Sequence, residues 1–248
     1  MTAILECVNL SVRFGGLKAL SGVSMSVRPG EVLGIFGPNG AGKTTLFNAI
    51  TGHAPSSEGV IWYKGQSISG LGPDRIYRLG LARTFQIPEL VESQSVEANV
   101  LLGAQFAHGG HLSGAFRIKE EAREAAENGL RRFGLRGVRN KRTALTTLYE
   151  RKLIMIASAL AAKPDLILLD EPAGGLTDKE IEALTRQIRE ISHSGTTILL
   201  IEHVMPVIMD LSTRVLVLNQ GQVIAEGDPL TIRQDPRVRR LYFGEVVG

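Results

Sequence analysis

The chain has a single cysteine, Cys7, in 248 residues. One thiol forms no internal disulfide, and no metal-ligand partners stand near it. Disulfide frameworks and Cys-rich metal modules are excluded, and a reducing compartment is expected. Long apolar runs are also lacking. The longest worth testing, residues 153–162, falls far short of the roughly 20 residues that cross a bilayer. The opening Met1-Thr2-Ala3-Ile4-Leu5-Glu6 has no basic n-region and no apolar h-region, so no signal peptide is expected. These absences predict a soluble protein whose membrane role, if it has one, runs through a partner. Charge of one sign is scarce too. Lys and Arg number 28 against 25 Asp and Glu, a net +3, so bulk charge makes no case for nucleic acid. What is present is ordinary for a globular chain: 44 % hydrophobic and 21 % charged residues. The length suits one large domain or a core with a second lobe.

The most informative stretch is Gly37-Pro38-Asn39-Gly40-Ala41-Gly42-Lys43-Thr44-Thr45, which fits the phosphate-binding pattern G-x-x-x-x-G-K-[ST]. Residues 31–36 before it read as a buried strand, and residues 45–50 after it read as the opening of a helix. That strand–loop–helix context is the one the pattern demands. Glycines at 37, 40 and 42 let the chain wrap so that N–H groups point inward at an anion. The helix N-terminus adds partial positive charge. Lys43 then reaches the β- and γ-phosphates, and the Thr44 hydroxyl ligates Mg²⁺.

On either side the chain alternates between sheet and helix patterns. Residues 4–12 and 20–27 alternate apolar and polar (Val8/Leu10/Val12, then Val23/Met25/Val27) and predict paired antiparallel strands. Between them Phe14 is a candidate to stack on an adenine ring; periodicity alone allows a plain core phenylalanine equally. Residues 56–59 read as a turn, 60–65 as a strand, and 73–81 as a helix. Residues 81–86 read as a strand ending on Gln86, placed to meet Mg²⁺ or an attacking water. Residues 95–142 have helical spacing with glycine breaks and read as an inserted helical lobe. Within it His108 and His111 have H-x-x-H spacing but no Cys or carboxylate company, which favours a loop over a metal site. Arg131, Arg132, Arg136, Arg139, Lys141 and Arg142 read as a solvated face in preference to an anion site.

The run Leu166-Ile167-Leu168-Leu169-Asp170-Glu171 has the apolar continuity of a parallel strand buried on both faces. Ligands bind at the C-terminal edge of such sheets. Asp170 is therefore placed to hold Mg²⁺ through water, and Glu171 to polarise a water as general base. An amphipathic helix follows over 178–191, capped near Thr177 or Asp178. Residues 196–203 form another buried strand, ending on His203, a candidate γ-phosphate contact. Residues 214–219 and 222–225 form a hairpin across Asn219-Gln220-Gly221. Asp228 and Pro229 open a short terminal helix.

Taken together, the P-loop at 37–44, Gln86, residues 166–171 and His203 resemble the ATP-binding subunit of ABC transporters over essentially the whole chain. Gly80-Leu81-Ala82-Arg83-Thr84-Phe85-Gln86, Ile201-Glu202-His203-Val204-Met205 and the tail from Asp235-Pro236-Arg237-Val238 to Leu241-Tyr242-Phe243-Gly244-Glu245 resemble its branched-chain amino acid importer branch. The resemblance implies an α/β fold. It consists of a P-loop NTPase core with a mostly parallel sheet, an antiparallel β subdomain, and a helical subdomain inserted over about residues 87–163. It implies a single ATP-binding domain that hydrolyses ATP with Mg²⁺ at the cytoplasmic face of the membrane. Its partners would be integral membrane permease subunits, a second ATP-binding subunit and, indirectly, a solute-binding protein, with no nucleic acid. In this family two subunits face head to tail, and each ATP lies between one chain's P-loop and the other's signature segment. By position, Phe14 stacks the adenine, Gln86 senses Mg²⁺ and the membrane subunits, Glu171 is the base and His203 the γ-phosphate contact.

One segment departs from the family pattern. Where L-S-G-G-[QE] or L-S-Y-G-[QED] is expected, this chain has Thr146-Thr147-Leu148-Tyr149-Glu150. Thr147 keeps a hydroxyl for the partner's nucleotide. Tyr149 replaces the glycine whose N–H approaches the γ-phosphate, and a side chain there is expected to crowd it. Losing one such donor costs about 2.7–4 kcal/mol of transition-state stabilisation. The following Gly174-Gly175-Leu176-Thr177 departs mildly, lacking the usual Asp or Asn after Leu. An intact P-loop half beside an impaired signature half predicts a heterodimer, with a homodimer as the alternative. Three other readings remain open. They are an ATPase of this architecture acting on nucleic acid or ribosomes, a P-loop kinase, and a weakly hydrolysing regulatory subunit.

Overall fold

A computed structural model describes residues 2–107 and 118–243. His108 and His111, and Gly244 and Glu245 of the tail, lie outside the described residues.

The N-terminal strands β1 (Leu5–Phe14) and β2 (Leu17–Val27) pair antiparallel, as their alternation predicts. The buried set differs in one detail. Asn9 takes a left-handed conformation (φ 50°) and the register slips between Cys7↔Met25 and Leu10↔Val23. This bulge makes Leu5, Cys7, Leu10 and Val12 the buried apolar residues and leaves Val8 only half-buried. On the far side of β1 lies β4 (Glu58–Tyr63), which begins two residues earlier than its turn signal suggests, and then β5 (Gln66–Ser67).

The second sheet has the order β10-β9-β3-β8-β7-β6. Its strands are β3 (Val32–Phe36), β6 (Leu81–Arg83), β7 (Leu166–Asp170), β8 (Thr197–Ile201), β9 (Arg214–Asn219) and β10 (Gln222–Gly227). All neighbours pair parallel except the β9–β10 hairpin. Every residue of β3, β7 and β8 is buried, which explains their unbroken apolar runs. The register sets Ile35 beside Ile201 and Asp170 beside Ile201. The chain therefore leaves β3, β7 and β8 at one level of one edge.

Helix α1 (Lys43–Ile50) follows β3 directly. Helix α2 (Pro73–Arg78) is shorter than its pattern suggests, because the chain turns at Gly80 (φ 95°) to enter β6. Strand β6 ends at Arg83, so Gln86 stands three residues past the strand and not at its last position. Between β6 and β7 come α3 (Val96–Ala107), α4 (Glu120–Arg132) and α5 (Leu148–Leu160). They pack through Val100, Ala104, Ala122, Ala126, Leu130, Ile154 and Ala157 into the core that also covers Ile167, Leu169, Ile198 and Leu200 of the sheet. Helix α6 (Asp178–His193) opens on a capping box between Thr177 and Glu180. Helices α7 (Met205–Leu211), α8 (Pro229–Gln234) and α9 (Pro236–Phe243) complete the chain; Asp228 caps α8 by accepting from Thr231 N–H. Three of the six basic residues in 131–142 are ion-paired. Arg136 and Arg139 pair with Glu127, Arg139 also with Glu97, and Lys141 with Glu150.

Candidate functional site

A cavity of about 1010 Å³ opens at the C-terminal edge of the parallel sheet. Its floor is the continuous stretch from Gly37 to Thr45. Two glycines make this loop possible. A Cβ at Gly37 would fall 2.2 Å from the Leu218 carbonyl oxygen, and one at Gly42 (φ 102°) would fall 2.8 Å from the Ala19 carbonyl oxygen. The loop thus lies flush against β9 and β2, and Phe14, Leu17, Lys18 and Ala19 reach the cavity wall. The first N–H groups of α1 have no partner within the helix and face this space. Lys43 is buried, and its Nζ donates to the carbonyl oxygens of Gly37 at 2.7 Å and Pro38 at 3.0 Å. Burial holds its pKa below the ordinary lysine value, partly offset by the charges of Glu171 and Asp170. A buried ammonium held only by loop carbonyls, beside the open N–H groups of a helix N-terminus, suits a polyphosphate.

Gln86, Glu171 and His203 form the opposite wall. Gln86 Nε2 donates to Glu171 Oε2 at 2.7 Å, and His203 Nδ1 lies 3.4 Å from the same oxygen. Glu171 adopts φ 45°, a left-handed backbone that costs a non-glycine residue about 1–2 kcal/mol. Its backbone is held on three sides. The N–H donates to Ile201, and the carbonyl accepts from Gly174 N–H and from Lys152 Nζ at 3.1 Å. This turn aims the carboxylate at the P-loop and lets Asp170 stay beneath it.

Asp170 itself does not line the cavity. It is buried, and its Oδ2 accepts from Arg83 Nη2 at 2.8 Å. Burial raises its pKa, and Arg83 opposes that rise. Thr44 is exposed on the cavity floor and Gln86 lines its wall, with Asp170 buried at the end of β7. These oxygen donors fit Mg²⁺, which takes one or two protein ligands and keeps its waters. Phe14, 50 % exposed, is not a core residue; its ring is available at the rim.

Thr147 is not brought to this cavity. It is the N-cap of α5 and shares a capping box with Glu150: Glu150 N–H donates to Thr147 Oγ1 at 3.1 Å, and Thr147 N–H donates to Glu150 Oε2 at 2.8 Å. Tyr149 follows on the first turn of α5. It is half-buried, packing in part against the core, and Leu145 (68 % exposed) and Leu148 (42 % exposed) add apolar bulk beside it. Leu148 lies over Gly175, where a Cβ would meet its Cδ2 at 3.0 Å.

Besides Lys18 and Ala19 of the wall, sequence reading missed four residues that shape the site. Arg83 and Lys152 hold Asp170 and Glu171 from below. Glu202, fully buried, accepts from Ala173 N–H at 2.6 Å and ties the two strand ends together. Gln220 joins the cavity wall from the β9–β10 turn. Advance signals existed for Arg83, inside the motif at 80–86, for Glu202, inside the stretch 201–205, and for Gln220, in the turn at 219–221.

Comparison with known proteins agrees with this geometry. The family profile described as ABC transporter matches residues 20–174. A second, described as branched-chain amino acid ATP-binding cassette transporter, matches residues 222–247. The chain is 38 % identical over 250 residues to the high-affinity branched-chain amino acid transport ATP-binding protein LivG of Escherichia coli K12, covering 98 % of both chains. It is 40 % identical over 254 residues to LivG of Salmonella typhimurium, covering 99 % of this chain and all of the other. It is 38 % identical over 250 residues to BraF of Pseudomonas aeruginosa, covering 98 % of both. Among solved structures, an ATP-binding cassette of an ABC transporter in its ADP conformation superimposes with a TM-score of 0.88 at 30 % identity, covering 99 % of this chain and 100 % of that one. A dimeric post-hydrolysis cassette bound to ADP and Pi gives 0.79 at 25 % identity, covering 91 % and 98 %. The chain belongs to the ABC transporter family, as one of its ATP-binding and ATP-hydrolysing cassettes.

Proposed function

We propose that this cassette drives an importer of branched-chain or related amino acids, docked on membrane-embedded permease subunits and paired head to tail with a second cassette. Full-length identity to LivG and BraF and the tail profile at 222–247 support the solute class. Among the described residues no helix is long and apolar enough to cross a membrane, which suits peripheral attachment through permeases. In this reading residues 87–163 form the helical lobe of a single ATP-binding domain.

The observation that carries the catalytic part is the convergence of Gln86, Glu171 and His203 on one carboxylate oxygen above the P-loop. The loop N–H groups and Lys43 bind the phosphates, and Phe14 stacks on the adenine. Glu171 orients a water and takes its proton as the water attacks the γ-phosphorus. His203 donates to the γ-phosphate as charge moves to the leaving oxygen. Thr44, Gln86 and Asp170 would hold Mg²⁺, which neutralises charge on the phosphates. Thr147 of this chain would face the partner's nucleotide.

The signature end supports an asymmetric pair. Tyr149 stands where the family has its glycine, and Leu145 and Leu148 are exposed beside it, so a nucleotide there meets bulky side chains. ATP on this chain's P-loop is hydrolysed against a partner with a glycine-containing signature, while the ATP facing Thr147 turns over slowly. Co-purification of tagged chain with permease subunits, with amino-acid-stimulated ATP hydrolysis in vesicles, tests the assignment. A chain that captures no membrane subunit and whose ATPase ignores amino acids would refute it.

A further inference from the structure

Arg83 lies within the motif at 80–86, and nothing above gives it chemistry of its own. It is the last residue of β6, and its side chain is 5 % exposed. A buried guanidinium is tolerated only where its charge and donors are matched. Nη2 donates to Asp170 Oδ2 at 2.8 Å; Nη1 donates to Asn48 Oδ1 at 2.7 Å and to Thr51 Oγ1 at 3.2 Å. The Phe85 and Phe47 ring centroids lie 4.7 Å and 5.6 Å from its Cζ, on the cation–π scale. Nε has no hydrogen-bond partner among the described residues. The group is therefore fixed by α1, by the segment leading to Gln86 and by the end of β7. Asp170 is fixed in turn. One oxygen is committed to Arg83, and Oδ1 accepts no hydrogen bond from the described residues.

We propose that Arg83 is a positioning residue for the divalent cation of the ATP site: it grips Asp170 by Oδ2, leaves Oδ1 for the metal's water shell, and keeps the carboxylate off Lys43. The inference rests on the Mg·ATP reading of the cavity. Its physical basis is competition between two cations. Lys43 feels the charge of Asp170. Without Arg83, the buried carboxylate turns to Lys43, and the phosphate ligand and the metal ligand neutralise each other. The aromatic clamp and the Asn48 bond tie Arg83 to the P-loop helix, so the metal carboxylate moves with the phosphate cradle. Lysine offers one point charge in place of a planar fork and holds this geometry less well.

The test reads binding and not turnover. In a Glu171→Gln parent, which prevents hydrolysis, the affinity for a fluorescent ATP analogue is measured in EDTA and in Mg²⁺. The parent gains affinity from Mg²⁺. Arg83→Met is expected to lower that gain by about tenfold while binding in EDTA stays within about twofold, and Asp170→Asn is expected to match it. The double variant Arg83→Met/Asp170→Asn is expected to lose no more than either single one, because Arg83 acts through Asp170. Arg83→Lys is expected to fall between, and it carries the test if the methionine variant does not fold. A merely structural arginine would lower thermal stability and leave the ratio of the two affinities alone. An unchanged Mg²⁺ gain in folded Arg83→Met or Arg83→Lys, or additive losses in the double variant, overturns the proposal. A parent with no gain from Mg²⁺ overturns the metal reading of the cavity, and the role of Arg83 with it.

Discussion

Gln86 Nε2 donates to Glu171 Oε2 across 2.7 Å, although the residues stand 85 positions apart. The bond places the proposed base under the control of a segment that leads from β6 into the helical lobe. Replacing Glu171 by Gln removes the base, and turnover is expected to fall by about 10²–10⁴-fold. Gln86→Ala removes a bond to a charged group worth about 1.5–3 kcal/mol, so a fall of about 10–100-fold is expected. Steady-state phosphate release, with nucleotide binding measured alongside, checks both. Binding is expected to survive in each.

Lys152 is 1 % exposed, and among the described residues the one hydrogen bond of its side chain holds the carbonyl of the left-handed Glu171. Lys152→Met keeps the stem and deletes the donor. Leaving a buried polar group under-satisfied costs about 1–3 kcal/mol. We expect a lower urea midpoint and a slower turnover, with nucleotide affinity retained. Equal stability and equal turnover would show that Gly174 N–H alone suffices to hold the turn.

Glu31 is buried and accepts from Arg214 Nε at 2.7 Å and from Arg28 N–H at 2.8 Å. Burial would raise its pKa, but the hydrogen bonds from Arg214 and Arg28 outweigh it and hold it below the usual glutamate value. A depressed folded pKa contributes stability above the unfolded value of about 4.3, and that contribution is lost as pH falls through the folded value. Wild type is therefore expected to exceed Glu31→Gln in denaturant midpoint at neutral pH, with the gap closing in acid. A gap that is constant with pH would contradict the assignment.

Cys7 is buried in β1, and burial followed by the charge of Glu6 pushes its thiol up to about 12. Thiolate is the reactive form. Native protein is expected to resist alkylation at pH 8 and to label fully in denaturant. Rapid labelling of the folded protein would contradict this.

Much of this molecule is legible from local pattern. The P-loop needs only its own eight residues and its flanks, and β7 and β8 announce themselves because both faces are buried. Other features are set by partners far away in sequence. Nothing local says that Arg83 meets Asp170, 87 positions on, or that Lys152 points inward just before the apolar run 153–162. The placement of Tyr149 is similar: its residue type departs from the family pattern, but only the packing shows that it is half-buried against the core, with Leu148 exposed beside it. Strand ends shift for the same reason, as when Asn9 resets the register of β1.

Leu148 supplies a direct test of the signature end. Leu148→Gly deletes an exposed side chain over Gly175. If bulk at this position slows the facing site, the variant alone is expected to hydrolyse ATP faster, by about tenfold for each 1.4 kcal/mol recovered. No gain, in a variant that still binds ATP, would assign the slow site to some other feature of 146–150.

The most direct measurement is ATP turnover by the purified chain alone and after mixing with a cassette that carries a glycine-containing signature, with Glu171→Gln as the control in both. An asymmetric pair predicts intact ATP binding, negligible turnover alone, and turnover on mixing that vanishes in Glu171→Gln. Brisk turnover by the chain alone, lost in Glu171→Gln, would contradict it and make the homodimer the working assembly.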